Sequence, residues 1–334
     1  MKIIIPMAGK GSRLRPHTLT IPKPLVAVAG KTIVQRLVED ISRAYHGEIE
    51  EVAFIVGNFG EEVEKDLVKI ANSIGAKGSI YYQDVPLGIA HAILCAGNSL
   101  AGPCMVAFAD TLFRANFRFD AEQDGVIWVQ KVADPSAFGV VKTDKEGIIE
   151  QFVEKSPVFV SDLAIVGIYY FKDGEYLKSQ LQYLIDNDIK YKGEFQLTSA
   201  LENMRESGSK FTTASIDEWL DCGNKEAVVH SNQRVLAQNK GNSLMAASVT
   251  LDNSVIIPPC YIGANCTISQ SVIGPYVSIG ANSVIEKSVI SNSVIQNESM
   301  ISDANLENSM IGNFVEYIGR KSEISIGDYS KYAS

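Results

Sequence analysis

A glycine-rich turn studded with cations, and two aspartates far downstream, are the residues of this 334-residue chain whose types and spacing could do chemistry. The turn reads Ala8-Gly9-Lys10-Gly11-Ser12-Arg13-Leu14-Arg15-Pro16; it follows the apolar run Ile3-Ile4-Ile5 and is followed by Pro22-Lys23-Pro24-Leu25. Backbone amides of a glycine-rich loop after the first strand of an open sheet can point at an anion with no side chain in the way. Arg13, Arg15 and Lys23 add side-chain cations, so the segment suits a triphosphate. Two familiar readings of such a loop fail. The dinucleotide fingerprint needs a third glycine where Leu14 stands, and a Walker A loop needs Gly-Lys-Ser/Thr where this chain has Gly-Lys-Gly-Ser. Downstream, Met105-Val106-Ala107-Phe108-Ala109-Asp110 and Trp219-Leu220-Asp221 are apolar runs that each end in a carboxylate, placed to hold a hard cation at a sheet edge. Cations and carboxylates able to hold a metal are what a site for a nucleoside triphosphate needs, because the bound phosphates must have their charge neutralised and be aligned.

Something must hold these groups together. Ile3-Ile4-Ile5 suits a buried parallel strand, and Thr32 to Tyr45 predicts an amphipathic helix with Ile33, Leu37, Val38 and Ile41 on one face. Val52 to Val56, Ile80 to Tyr82, Met105 to Phe108 and Val126 to Val129 read as strands, with helices over Gly60 to Ile74 and Ile89 to Leu100. This alternation predicts an α/β fold, a mostly parallel mixed sheet with helices on both faces. From about Ala247 the period changes to short units such as Ser254-Val255-Ile256, Ser271-Val272-Ile273, Ser288-Val289-Ile290 and Ser293-Val294-Ile295. A spacing of roughly six residues with one inward aliphatic per unit predicts a parallel β-helix solenoid. The expected domains are therefore 1–240 and 246–330. The last coil, Ile326-Gly327-Asp328-Tyr329, needs covering by the tail or by another subunit.

Bulk properties bound the partners. A net charge of −9, with no lysine- or arginine-rich run, argues against nucleic acid or an anionic membrane. Five scattered cysteines without a C-x-x-C pair suggest neither a disulfide framework nor a zinc site, and no long apolar run is present. A reduced, cytoplasmic protein is expected.

The residues from Gly9 to Leu25 resemble the signature G-x-G-[ST]-R-L-x-P-x-T-x-x-x-P-K-[PQ]-L of the sugar nucleotidyltransferases, or nucleotide-sugar pyrophosphorylases. Asp110 and Asp221 resemble that family's two magnesium ligands, in motifs that read [LG]-G-D and W-x-D-x-G; here Ala109 and Thr111 replace a usual glycine and asparagine. Gln83 with Pro86 to Ala92 resembles the base-reading segment, and Asp134 to Val141, Val153 to Pro157 and Leu163 to Tyr169 resemble the sugar-binding ones. Lys192 to Thr198 also matches, with Ser199 where an acidic residue is usual. The second half resembles the left-handed β-helix of hexapeptide repeats.

The resemblance implies a Rossmann-like nucleotidyltransferase fold and catalytic roles for Arg13, Lys23, Asp110 and Asp221. It places Ala8, Gly9, Gly11, Ser12, Arg13, Lys23, Gln83, Gly88 and Asp110 around the nucleotide, and Gly139, Glu154, Lys155, Ile165, Gly167 and Trp219 around the sugar phosphate. Asp110 and Asp221 would hold Mg²⁺. The long-form glucose-1-phosphate thymidylyltransferases are the branch most resembled, which implies dTDP-glucose made from dTTP and glucose 1-phosphate. A guanylyltransferase for mannose 1-phosphate, a UTP-using uridylyltransferase and a non-catalytic regulatory subunit that binds nucleotide sugars remain open. The four histidines, His17, His46, His91 and His230, all precede the repeat. The solenoid therefore lacks the base an acyltransferase would use, and homo-oligomerisation or regulation is its expected role.

Overall fold

The computed structural model describes residues 1–117, 119–238 and 244–320. Its contacts define two units: Met1–Val26 with Lys31–Ala227, and Ala27–Gly30 with the chain from Val228 onward.

In the first unit Ile3, Ile4 and Ile5 are all fully buried, as a strand covered on both faces demands. This strand, β1 (Lys2–Pro6), pairs in parallel with β2 (Glu51–Val56), and β2 with β3 (Lys77–Tyr82). On its other side β1 pairs in parallel with β4 (Cys104–Ala107). Ile4, Ala53, Ile55 and Val106 share one core with α3 (Ile89–Cys95), α4 (Gly174–Asp186) and α5 (Leu197–Glu206), which contribute Ile93, Leu181 and Leu201 among others. The alternate residues Ile3, Ile5 and Phe54 point to the opposite face by the strand period. Before these helices come α1 (Ile33–Ala44), whose cap Thr32 accepts from the Gln35 amide and which buries Leu37, Val38 and Ile41, and α2 (Glu61–Ser73). The helix expected through Leu100 stops at Cys95; Gly97 and Asn98, poor helix formers, follow, and the chain closes in turns.

Beyond β4 the sheet is mixed. After β5 (Thr111–Arg114) come β6 (Gly125–Lys131), β7 (Gly139–Thr143), β8 (Ile149–Glu154) and β9 (Leu163–Phe171). Strand β9 runs antiparallel to β4, β6 and β7, and β8 antiparallel to β7. With β10 (Phe211–Ser215) parallel to β6, the nine described strands follow the order β8-β7-β9-β4-β1-β2-β3, with β6 and β10 branching from β9. A separate antiparallel ribbon joins β5 to β11 (Glu218–Asp221), setting Asp221 opposite Thr111. Among the described residues no helix is long and apolar enough to cross a membrane.

The second unit contains a three-sided parallel β-helix. Thr250 pairs with Thr267 and Thr267 with Val284, so these coils are 17 residues long; Val284 pairs with Met300 and Met300 with Glu316, one residue shorter per coil. Strand starts at Thr250, Val255, Cys260 and Thr267 show that the six-residue unit read from sequence is an average of five, five and seven. Inside, Ile268, Ile285 and Ile301 stack in one column and Ile273 and Ile290 in another, at most 1% exposed. At one corner Asn253, Gln270, Lys287 and Asp303 adopt left-handed backbone, and beside it a serine ladder links the coils. The Ser271 amide donates to Ser254 Oγ, the Ser288 amide to Ser271 Oγ and the Ala304 amide to Ser288 Oγ, at 3.0–3.1 Å. The terminal coil Ile326 to Tyr329 lies outside the described residues.

Truncating one inward isoleucine leaves a cavity that rigid neighbouring coils cannot fill. Ile285→Ala is expected to destabilise the β-helix by about 3 kcal/mol. A lowered denaturant midpoint for this unit is the check, and an unchanged midpoint would contradict the stacked core.

Candidate active site

The parallel strands end in a cleft of about 580 Å³. One wall is the turn after β1. Gly11 holds left-handed backbone at φ 59°, and a Cβ there would lie 2.8 Å from Lys23 Cβ, so the turn and the Lys23 segment pack closely only because this residue is glycine. Thr18 Oγ1 donates to the Gly11 carbonyl at 2.8 Å, and buried Leu14 anchors the short helix that carries Arg13. Ala8, Gly9, Gly11, Ser12, Arg13, Lys23, Gln83, Gly88 and Asp110 all line this one cleft. The whole nucleotide set read from the sequence is thus brought together.

Asp110 sits in the turn between β4 and β5, where its carboxylate takes a 2.6 Å hydrogen bond and ion pair from the ammonium of buried Lys23. The Cys222 amide donates to the Asp110 carbonyl at 2.9 Å, which fastens the end of β11, and with it Asp221, beside the turn. Burial pushes the Asp221 carboxyl above the usual carboxylate range, and the neighbouring Asp110 charge pushes it further; Lys23, the Gly223 amide and Arg13 offset part of this. Two neighbouring carboxylates whose mutual repulsion raises the Asp221 value are a pair that a cation would stabilise. Among the described residues no cluster of three or more acidic, histidine or cysteine ligands occurs. An ion here would complete its shell with substrate phosphates and water, the habit of Mg²⁺ and not of an ion that needs an all-protein cage. The donor set fits that metal.

On the far side of the cleft Gln83, at the end of β3 and 8% exposed, donates from Nε2 to the Gly88 carbonyl at 3.0 Å. The same nitrogen lies 3.0 Å from Nδ1 of His91. The donor half of this amide is therefore already engaged within the protein. Gly88 has a reason to be glycine within the fold itself. At φ 117°, a Cβ on it would lie 2.5 Å from the Phe195 carbonyl oxygen and 2.7 Å from the Phe195 nitrogen. Ala90 donates to that carbonyl and Phe195 to the Leu87 carbonyl, so the segment around Gly88 is clamped to Phe195, backbone to backbone.

None of the six residues assigned to the sugar phosphate lines this cleft, nor does Asp221. They gather next to it. Glu154 accepts from Thr198 Oγ1 at 3.0 Å and pairs with Lys155 at 3.4 Å, and Gly139 lies close to Glu154, Ile165 and Thr198. Phe138, beside Gly139, packs edge-on to Trp219 at 4.9 Å between ring centroids. The Trp219 indole nitrogen is buried without a hydrogen-bond partner among the described residues, a cost a bound oxygen acceptor would remove. Gly167 joins the two groups: its carbonyl accepts from the amide of Phe108, which lines the cleft two residues before Asp110. Phe108, Glu194, Thr198 and the hydrogen bond of His91 were not anticipated as site features. Glu194 and Thr198 lie within the singled-out segment Lys192 to Thr198; the other two depend on contacts across the fold.

Residues 2–238 match the Nucleotidyl transferase family, and the chain belongs to that family. Among curated relatives, a glucose-1-phosphate thymidylyltransferase of Streptomyces antibioticus is 30% identical over 99% of both chains. The low-salt glycan biosynthesis nucleotidyltransferase of Haloferax volcanii is 30% identical over 76% of this chain and 72% of its own length. Among solved structures, a putative glucose-1-phosphate thymidylyltransferase from Bacillus anthracis, in complex with a sucrose, aligns with a TM-score of 0.59 at 22% identity. It covers 69% of this chain and 93% of that one and speaks for the shared fold.

Proposed function

We propose that this chain is a Mg²⁺-dependent sugar-1-phosphate nucleotidyltransferase that converts dTTP and glucose 1-phosphate into dTDP-glucose and pyrophosphate. The observation that carries the reading is one cleft in which a glycine-rich turn, Arg13, Lys23 and Asp110 converge, with Asp221 fastened beside it. The full-length likeness to the Streptomyces relative supports the choice of dTTP and glucose 1-phosphate.

In this reaction a phosphate oxygen of the sugar 1-phosphate forms a bond to the α-phosphorus as the bond from that phosphorus to the β-bridging oxygen breaks, its electron pair leaving on pyrophosphate. No side chain has to accept a proton. The turn after β1 binds the triphosphate through backbone amides, and Arg13 and Lys23 face the charge that grows on the leaving group. Asp110 holds Lys23 in place before substrate arrives, so little reorganisation remains for the reaction itself. Asp110 and Asp221 would hold the Mg²⁺, which when bound offsets phosphate charge and aligns the reacting groups. Glu154 accepts from sugar hydroxyls and Lys155 neutralises the 1-phosphate, with Trp219 offering its unpaired indole N–H. The β-helix, which holds none of the histidines, serves assembly of a homo-oligomer.

Pyrophosphate release over the five nucleoside triphosphates against glucose, mannose, galactose and N-acetylglucosamine 1-phosphates tests the proposal. A dominant signal for dTTP with glucose 1-phosphate is expected; a dominant GTP and mannose 1-phosphate signal would replace the substrates, and silence throughout would refute the activity. The raised Asp221 carboxyl gives a second expectation, because a proton competes with the metal for that carboxylate. Mg²⁺ affinity should weaken as pH falls, beginning above the range where an ordinary aspartate protonates, and Asp110→Asn should move that onset to lower pH. Titration calorimetry with Mg²⁺ across pH 4–8 reads both; an affinity flat with pH would count against Asp221 as a ligand.

A further inference from the structure

The base side of the cleft contains one contact that the proposed reaction does not use, the hydrogen bond between Gln83 and His91. A glutamine amide facing solvent would present a donor and an acceptor and would fit several bases equally well. Here the amide is not free to choose. The Gly88 carbonyl, 3.0 Å from Nε2, can only accept, so it fixes which end of the amide is the NH₂. The second amide proton then points to Nδ1 of His91, also 3.0 Å from Nε2, and a nitrogen that receives a proton there must present its lone pair. Both donors of Gln83 are consumed inside the protein. No hydrogen bond to its Oε1 occurs among the described residues, and Gln83 lines the cleft.

We infer that His91 is a positioning residue for base selection: together with the Gly88 carbonyl it makes Gln83 an acceptor-only group, and the site therefore favours a pyrimidine whose ring nitrogen carries hydrogen. The N3–H of thymine or uracil meets that acceptor. Cytosine, whose N3 is a lone pair, sets acceptor against acceptor. The inference rests on the nucleotide site proposed above. Burial holds the His91 pKa below the ordinary histidine value, in keeping with a neutral ring that accepts at Nδ1. His91 stands on α3, one turn after Gly88, so the helix that starts at the base segment also carries the group that orients its reader.

The test is a binding measurement on the full chain that needs no sugar: calorimetric affinities for dTTP and dCTP with the unaltered protein and with Gln83→Leu, His91→Leu, His91→Ala and His91→Asn. Asparagine can return an acceptor oxygen near the Nδ1 position; leucine and alanine cannot. The unaltered protein should prefer dTTP by at least about tenfold, the value of one well-placed hydrogen bond. Gln83→Leu should lose that preference. His91→Leu and His91→Ala should lose most of it, while His91→Asn keeps it within about twofold. If Gln83→Leu loses the preference and both acceptor-less His91 variants keep it, the positioning role is overturned and the base site stands. If all His91 variants lose it equally, asparagine included, His91 acts through packing and the inference also fails. If the unaltered protein shows no preference, or Gln83→Leu retains it, the base-site reading falls and the inference falls with it.

Discussion

Asp221→Asn should lower turnover by about 100- to 1,000-fold, the scale of losing a preorganised electrostatic group at a phosphoryl or acyl centre. The reason lies in what Asp221 costs the protein. Burial and the Asp110 charge raise its proton affinity above that of the unfolded chain, so the native state binds this proton more tightly. Stability from this group is therefore greatest at acid pH and declines as pH rises through the raised value. At neutral pH an ionised Asp221 is a burden on the fold. The amide of asparagine keeps the shape and removes the charge, so the variant should melt at the same temperature as the parent or higher in the absence of metal, while turnover collapses. Single-turnover kinetics and a melting curve in chelator measure both halves. Turnover within threefold of the parent would remove Asp221 from the proposed machinery. Asp110→Asn added to Asp221→Asn should cost far less than the product of the two single effects, because both side chains act on one cation.

Gly88→Ala is the second large effect expected, and it acts on nucleotide affinity. The new methyl group would have to displace the Phe195 backbone, whose nitrogen and carbonyl are both hydrogen-bonded to the base segment. It would also hold alanine at φ 117°, a conformation disfavoured for any residue with a Cβ. The clamp must open or the loop must move, and either shifts Gln83, which donates to the Gly88 carbonyl. Nucleotide affinity should fall about 100-fold, roughly 2.7 kcal/mol, with a smaller change in the rate of bound substrate. Equilibrium binding of dTTP decides it; affinity unchanged within twofold would mean that the clamp does not shape the base site.

Much of this was legible in the residues and some was not, for physical reasons. The turn from Ala8 to Pro16 and the Lys23 segment act through local backbone, so their spacing was readable, and all nine residues assigned from sequence to the nucleotide line one cleft. The partnership of Asp110 and Asp221 was readable only as two similar strand ends. Their proximity comes from the antiparallel pairing of β5 with β11, between residues far apart in sequence. The clamp that Phe195 makes on Gly88 was not legible, because a backbone contact between distant segments leaves no local signal. The contact of His91 with Gln83 was equally illegible, since which ring nitrogen meets which amide depends on the end of β3 standing beside the first turn of α3. In the solenoid the inward isoleucines announced the architecture, but corners in left-handed backbone, occupied by residues as different as Asn253, Gln270 and Lys287, hid the true coil length.

The serine ladder and the stacked isoleucines bind each coil only to its immediate neighbours. Growth of such a domain is quantised. Adding or deleting one whole coil would preserve every corner, every inward column and every rung, whereas a single extra residue inside a strand would turn its aliphatic outward; the one-residue difference between the 17- and 16-residue coils leaves the paired strands in register. A solenoid built this way can change length in steps of one coil at little energetic penalty, its surface free to differ while its interior stays the same.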